Sequence, residues 1–365
     1  MTDARVIKKD EEAIFALRSL YRQYGYSQFK MSRFEEYDLY VRNKDFLVSD
    51  EVITFTDHTG RLLALKPDVT LSIIKNTEDR AGAVQKVYYN ENVFRVAKGT
   101  HTFKEIMQAG LECIGDLGSY EIAEVVLLAV RSLSLLGKRY MLDLSHMGLV
   151  SAMLEESGLS EAGKSLALGY LHQKSRHELT ALCREEGLSQ EATAKLQTLI
   201  DCCGTPQDAL KMIAPLVETK AEEAAFAEFS ALCDLLTARG EGANVRVDLS
   251  VGNDMKYYSG VVFKGYLEGV PSGVLSGGQY DKLLQKLGRK SGAIGFAVYL
   301  DQLERLEKER EEFDVDTLLL HSPDADPAAL LEEAERLAKE GSVRVVSTLP
   351  EEVSYRRLVK FGEEA

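Results

Sequence analysis

Gln108 and Glu112 stand four residues apart in KEIMQAGLECIG (Lys104 to Gly115), a run with strand character, so their side chains share one face. An amide beside a carboxylate can donate to and accept from a small polar ligand, while on an open sheet edge the same pair is simply solvated. Arg95 follows Phe94 in KVYYNENVFRV (Lys86 to Val96), where a guanidinium either grips a ligand carboxylate or serves as a structural ion-pair residue. Tyr257 and Tyr258 open the run YYSGVVFKGY; read as strand residues they point to opposite faces, which leaves at least one for ordinary packing. Gly277 and Gly278 permit close approach of backbone to a ligand or to a neighbouring strand. His101 has no carboxylate or nucleophile at a spacing that would orient it, and His146 reads as a helix-entry residue. Residues 158 to 165, GLSEAGKS, match the phosphate-loop pattern G-x-x-x-x-G-K-[ST] literally. Their surroundings are helical, with Ser160 as the N-cap and Gly163 and Lys164 in the first turn, so the nucleotide-loop reading is set aside.

These residues need elements to hold them. Ile14, Leu17, Leu20 and Tyr21 recur at helical spacing over residues 10 to 24, and Gly25 follows as a cap. VITFTDHTGRLLAL (Val52 to Leu65) is a hairpin turning at Asp57 to Gly60, and the runs carrying Arg95 and Glu112 should pair antiparallel around a polar loop. Ser119 can cap a helix that ends at Gly137. From about Met147 to Ala238 strand character disappears and a helical insertion is expected, at about residues 150 to 240. Strands return at NVRVDLSV and after Tyr257. Beyond Glu312 the order reads strand, helix, strand, helix, a short α/β module over residues 313–365 appended to a core of residues 1–312.

Composition narrows the function. The 365 residues, 45% of them hydrophobic, suffice for a folded protein with a sizeable core. Forty-four basic against 58 acidic residues leave a net charge of −14, which disfavours nucleic acid as a partner. Five cysteines without a CxxC pair read as reduced, mostly buried thiols, so neither a metal nor a cofactor is expected. The first residues carry charges where a signal peptide is apolar, and VVLLAV stops at Arg131, which points to a cytoplasmic protein with no membrane segment.

Four segments in order, LKPDVT, VFRVAKGTHTFKEIMQAGLE, MKYYSGVVF with SGGQYDKL, and AIGFAVYLDQL, resemble the catalytic domain of histidyl-tRNA synthetase over about residues 5 to 310. The resemblance implies an α+β fold: a class II aminoacyl-tRNA synthetase-like antiparallel sheet flanked by helices, forming a dimer. It further implies a histidine pocket of Asp68, Thr70, Arg95, Gln108, Glu112, Tyr257 and Tyr258. Glu112 or a tyrosine hydroxyl would accept an imidazole N–H, Asp68 with Gln108 would hold the ammonium, and Arg95 would pair with the carboxylate. Asp68 is one methylene shorter than the glutamate usual in that family.

The positions that activate the amino acid depart from the synthetases. Asn253 and Gln302 stand where they carry arginines, Tyr299 where they have a glycine against the nucleotide, Ala97 in place of a motif 2 glutamate, and Gln279 where arginine is favoured. Losing two such cations lowers adenylation by on the order of 10⁴–10⁶. The C-terminal module is also about half the length expected of that family's anticodon-binding domain. The pattern therefore resembles the regulatory subunits of ATP phosphoribosyltransferase, the synthetase paralogues of the histidine pathway. This second resemblance implies a chain without catalysis of its own, a homodimer within a hetero-oligomer that joins a short catalytic subunit in the first step of histidine biosynthesis, with histidine as the feedback effector. The alternatives are a divergent histidyl-tRNA synthetase forming histidyl-adenylate and a stand-alone amino-acid-binding module.

Overall fold

The computed structural model describes residues 9–43, 52–79, 82–96, 102–252, 257–303 and 313–362. The chain divides into two compact units, Met1–Leu306 and Glu307–Ala365.

The larger unit opens with α1 (Lys9–Gln23), whose Ala13, Ile14, Leu17 and Tyr21 form the buried stripe, and Gly25 follows at φ 80°. Next come β1 (Ser27–Gln28), β2 (Phe34–Glu36), α2 (Tyr37–Val41), β3 (Thr54–Thr56) and β4 (Leu62–Leu65). The hairpin of β3 and β4 turns at Gly60, where the Asp57 carboxylate accepts from the Thr59 and Arg61 amides. Then α3 (Thr70–Asn76) leads to two long strands, β5 (Val84–Val96) and β6 (Phe103–Gly115), paired antiparallel from Val84↔Gly115 to Val96↔Phe103. After them, α4 (Ser119–Leu136) is capped by Gly118 and not by Ser119, because the Glu121 carboxylate reaches back to the Gly118 N–H at 2.9 Å.

β7 (Tyr140–His146) enters the helical stretch of α5 (Met147–Glu155), α6 (Glu161–His172), α7 (Arg176–Glu185), α8 (Gln190–Asp201), α9 (Pro206–Ile213) and α10 (Lys220–Ala238). One short strand interrupts it: β8 (Cys203–Gly204) pairs antiparallel with β9 (Val245–Asp248). Ser160 accepts from the Gly163 N–H at 3.0 Å as the N-cap of α6, and Lys164 pairs with Glu155 and Glu161, so the phosphate-loop match lies in a helix. His146 likewise enters α5, its Nδ1 accepting from the Leu149 N–H at 3.0 Å. β10 (Val261–Leu267), β11 (Leu275–Gln279), α11 (Asp281–Lys286) and β12 (Gly292–Tyr299) complete the unit.

One nine-stranded sheet runs β1-β5-β6-β12-β11-β10-β7-β9-β8, antiparallel in its centre and parallel at β1/β5 and β7/β9; β2, β4 and β3 form a small separate sheet. Strand alternation sorts its two faces. Ala109, Leu111 and Cys113 of β6 with Ile294, Phe296 and Val298 of β12 join the main core, which also holds the buried residues of α1 and α4. Even-numbered β6 residues turn the other way, toward a second cluster containing Leu71, Ile73 and Ile74 of α3, Leu283 and Leu284 of α11, and Tyr89 and Ile114. Gln108 and Glu112 therefore face away from α4.

In the smaller unit β13 (Val315–Leu320), α12 (Pro327–Ala338), β14 (Val343–Val346) and β15 (Tyr355–Lys360) build a three-stranded parallel sheet ordered β14-β13-β15. The last segment, read from sequence as a helix, is a strand. Tyr355, Arg357 and Val359 alternate with Arg356, Leu358 and Lys360, and the register against β13 uses that alternation. Four of the five free cysteines are buried, and Cys203 is exposed. Among the described residues no helix is long and apolar enough to cross a membrane.

Candidate functional site

A cavity of about 420 Å³ opens on the face of the sheet opposite α4, within the range of small-molecule sites. Asp68, Thr70, Arg95, Gln108, Glu112, Tyr257 and Tyr258 all line it, together with Tyr89, Ser276, Tyr280, Phe296 and Tyr299. The seven residues singled out in the sequence thus lie around one space.

Its depth is set by Glu112, 2% exposed. One carboxylate oxygen accepts from the Thr70 hydroxyl at 2.9 Å and the other from the Tyr280 hydroxyl. Burial pushes its pKa up to about 8 against these two donors, and Asp68 adds to the rise. Room for this carboxylate comes from Gly295, its partner across the β6/β12 ladder, where a Cβ would lie 1.7 Å from Glu112 Oε2. Gly278 does the same for the aromatic wall, since a Cβ there would meet the Tyr258 ring at 2.8 Å.

Asp68 precedes α3 and accepts from the Leu71 N–H at 3.0 Å, which orients its carboxylate; burial raises its pKa, opposed by that bond and by the charge of Arg95. Arg95 Nε donates to the Pro67 carbonyl at 3.1 Å and so joins β5 to the turn carrying Asp68. Among the described residues lining the cavity, Arg95 supplies the sole guanidinium and no lysine is present. Gln108 is 3% exposed, so the Gln108/Glu112 pair is not the solvated edge that strand alternation alone allows.

Tyr257 and Tyr258 do not divide between two faces. They precede β10 in a turn, outside the reach of strand alternation, and both rings line the cavity at 4.7 Å between centroids in an edge-on arrangement. Tyr257 also packs against Tyr280 at 5.8 Å. Burial holds the phenols of Tyr89, Tyr257 and Tyr280 well above their ordinary pKa, so they remain neutral donors.

Sequence reasoning passed over Tyr280, although it lies inside the quoted run SGGQYDKL; an aromatic directly before Asp281 was its only local mark. Tyr299 ends β12 with its hydroxyl 2.7 Å from that of Ser276. Gln302 is not part of the lining: it accepts from Ser272 at 2.7 Å and donates to Asp301 at 2.8 Å. Gln279 donates to Asp281 at 2.8 Å. Asn253, Ala97 and His101 lie outside the described residues.

The fold and its cavity define a protein of the class II aminoacyl-tRNA synthetase type, a layered sheet with a hollow of about 420 Å³ over its central strands. A family model described as histidyl-tRNA synthetase matches residues 3–303, and the chain belongs to that family. Among its relatives, an ATP phosphoribosyltransferase regulatory subunit of Alkaliphilus metalliredigens is 27% identical over 335 residues, covering 89% of this chain and 84% of that one. A solved structure described as an ATP phosphoribosyltransferase regulatory subunit/histidyl-tRNA synthetase from Bacillus halodurans superposes with a TM-score of 0.78 at 24% identity, covering 99% of this chain and 96% of the other. A chain from an ATP phosphoribosyl transferase complex of Thermotoga maritima follows the same fold with a TM-score of 0.64 at 18% identity, over 79% of this chain and 96% of its own length.

Proposed function

We propose that this chain is a non-catalytic regulatory subunit of ATP phosphoribosyltransferase, which joins a short catalytic subunit in the cytoplasm and holds histidine as its effector in the cavity described above. The charge inventory of that cavity carries the reading. Two carboxylates, Asp68 and Glu112, face one guanidinium, Arg95, among the described lining residues. Among the described lining residues a triphosphate placed here finds one cation, the Arg95 guanidinium, to set against its charge. An amino acid with a basic ring instead finds a partner for each pole: Asp68 and Gln108 for the ammonium, Arg95 for the carboxylate, Glu112 with the tyrosine hydroxyls for the imidazole. The names borne by relatives that align over most of their length support the same assignment.

Feedback then requires that bound histidine favour the less active state of the complex over the more active one. The pairing of two such chains within a hetero-oligomer is part of the proposal and rests on family likeness. Adding the purified chain to its cognate short catalytic subunit should raise phosphoribosyl-ATP formation, and millimolar histidine should lower it again. No change with folded protein would reject the assignment. Robust histidine-dependent ATP–pyrophosphate exchange would instead establish a divergent synthetase, and histidine binding without any effect on the transferase would leave an amino-acid-binding module with another partner.

A further inference from the structure

Arg289 lies in the turn between α11 and β12, far in sequence from the helix it touches. Its Nη1 donates to Thr77 Oγ1 at 2.9 Å, and its Nη2 donates to the Thr77 carbonyl at 2.6 Å and to the Ile74 carbonyl. Next to it, the Lys290 N–H donates to the Asp79 carboxylate at 3.1 Å. Ile74 and Thr77 close the C-terminal end of α3, where the Ile74 carbonyl also accepts from the Thr77 N–H at 3.2 Å and the Thr77 hydroxyl at 3.0 Å and where a cation suits the helix dipole. Ile74 is 0% and Thr77 7% exposed, so water has little access to take over the contacts.

The other end of α3 is in the cavity. Thr70, its first residue, donates to Glu112, and Asp68 just before it accepts from Leu71. Leu71, Ser72, Ile73 and Ile74 between the two ends are all buried, so this rod of about 10 Å shifts as one piece. On the other side of Arg289, β12 carries Gly295, which faces Glu112 across the ladder. The guanidinium thus ties the C-terminal end of α3 to the chain segment that enters β12 three residues later.

We infer that Arg289 is a positioning residue for the cavity, acting through α3 to set where the Thr70 hydroxyl meets Glu112. The ligand part of the test rests on the proposed histidine site; the ligand-free part does not. Besides Thr70, the groups facing Glu112 are Asp68 before α3, Tyr280 after β11, Tyr257 before β10 and Tyr89 on β5.

The test is a double-mutant cycle in the full chain, with Arg289→Gln, Thr70→Val and the pair, read in two ways. In ligand-free protein with carboxyl-labelled glutamate, carbon NMR follows the Glu112 titration. Thr70→Val should move its midpoint upward from about 8, since a donor to the carboxylate is lost; Arg289→Gln should move it the same way, and the double variant no further than Thr70→Val alone. By calorimetry with L-histidine, each single change should weaken binding roughly tenfold, the scale of one hydrogen bond to a charged group, and the double change should stay near tenfold. An unmoved midpoint in Arg289→Gln, or effects that multiply to about a hundredfold, would reduce Arg289 to a helix cap and overturn the inference. Should Arg289→Gln fail to fold, Arg289→Lys takes its place in the cycle, with the same pattern at smaller size. Coupled midpoints in a chain that does not bind histidine would reject the effector reading and leave the inference standing.

Discussion

Two buried glutamates in this chain are held in opposite ways. In the helical stretch, Glu222 is 0% exposed, accepts from the Glu218 and Thr219 amides at 2.8 and 3.1 Å as α10 begins, and receives the Lys195 ammonium at 2.8 Å. These partners outweigh its desolvation and lower its pKa. Glu112 in the cavity has two hydroxyls and, among the described residues, no ammonium or guanidinium bonded to it, and burial wins. A buried carboxylate with its own cation stays charged, whereas one held by hydroxyls alone keeps a proton to higher pH.

Replacing each glutamate by its neutral isostere tests that contrast most directly. Glu112→Gln should weaken histidine binding by about a hundredfold or more in calorimetry, because the partner for the imidazole loses its charge. Glu222→Gln should leave that affinity within about twofold and instead cost about 1–2 kcal/mol of stability in urea unfolding, since Lys195 loses one of its two carboxylate partners and keeps Glu218 at 2.9 Å. A reversal of the two outcomes would break the comparison.

Acid and base should separate them as well. The folded chain keeps a proton on Glu112 that the unfolded chain releases near 4.5, so this residue makes stability fall as pH climbs from about 4.5 toward 8. Glu222, with its pKa lowered, contributes stability that is present above 4.5 and lost as pH falls through its native value. Melting curves should show Glu112→Gln flattening the alkaline decline and Glu222→Gln the acid one. Histidine affinity in the unaltered chain should be level between the imidazole pKa of about 6.5 and the Glu112 value of about 8, with one proton shared across the contact. It should fall by up to tenfold per pH unit above that window as the shared proton leaves, and below it as a second proton must be shed.

The smallest effect belongs to hydroxyls that do not touch Glu112. Tyr299→Phe removes the contact with Ser276 and should change histidine affinity less than about threefold. A larger loss would mean that the far wall binds the effector too.

Local features of the chain were legible as local features. The stripe of α1, the two hairpins and the shared face of Gln108 and Glu112 follow from spacing, and Ser160 as an N-cap exposed the phosphate-loop match as a helix start. Family resemblance brought together Asp68, Thr70 and the tyrosines, which no spacing connects. The failures share a cause. Strand alternation was extended to Tyr257 and Tyr258, which sit in a turn, and helical spacing to the segment that becomes β15. The environment of Glu112 was illegible for a stronger reason: its donors Thr70 and Tyr280 lie 42 and 168 residues away along the chain.

The long hairpin has a mechanical side. β6 pairs with β12 only from Gly115 to Gln108, yet its pairing with β5 continues to Phe103, so the ribbon overshoots the neighbouring strand by five residues, 103 to 107. Its base is the rung of Gln108, in the cavity wall, and Phe103 at the far end is 74% exposed. Two-stranded ribbons twist readily, but this one is tied along its β5 edge, where the Phe94 N–H donates to the Lys66 carbonyl at 2.8 Å and Arg95 Nε to the Pro67 carbonyl at 3.1 Å. The ribbon and the turn carrying Asp68 thus share a strut, and whatever fixes one of them fixes the other.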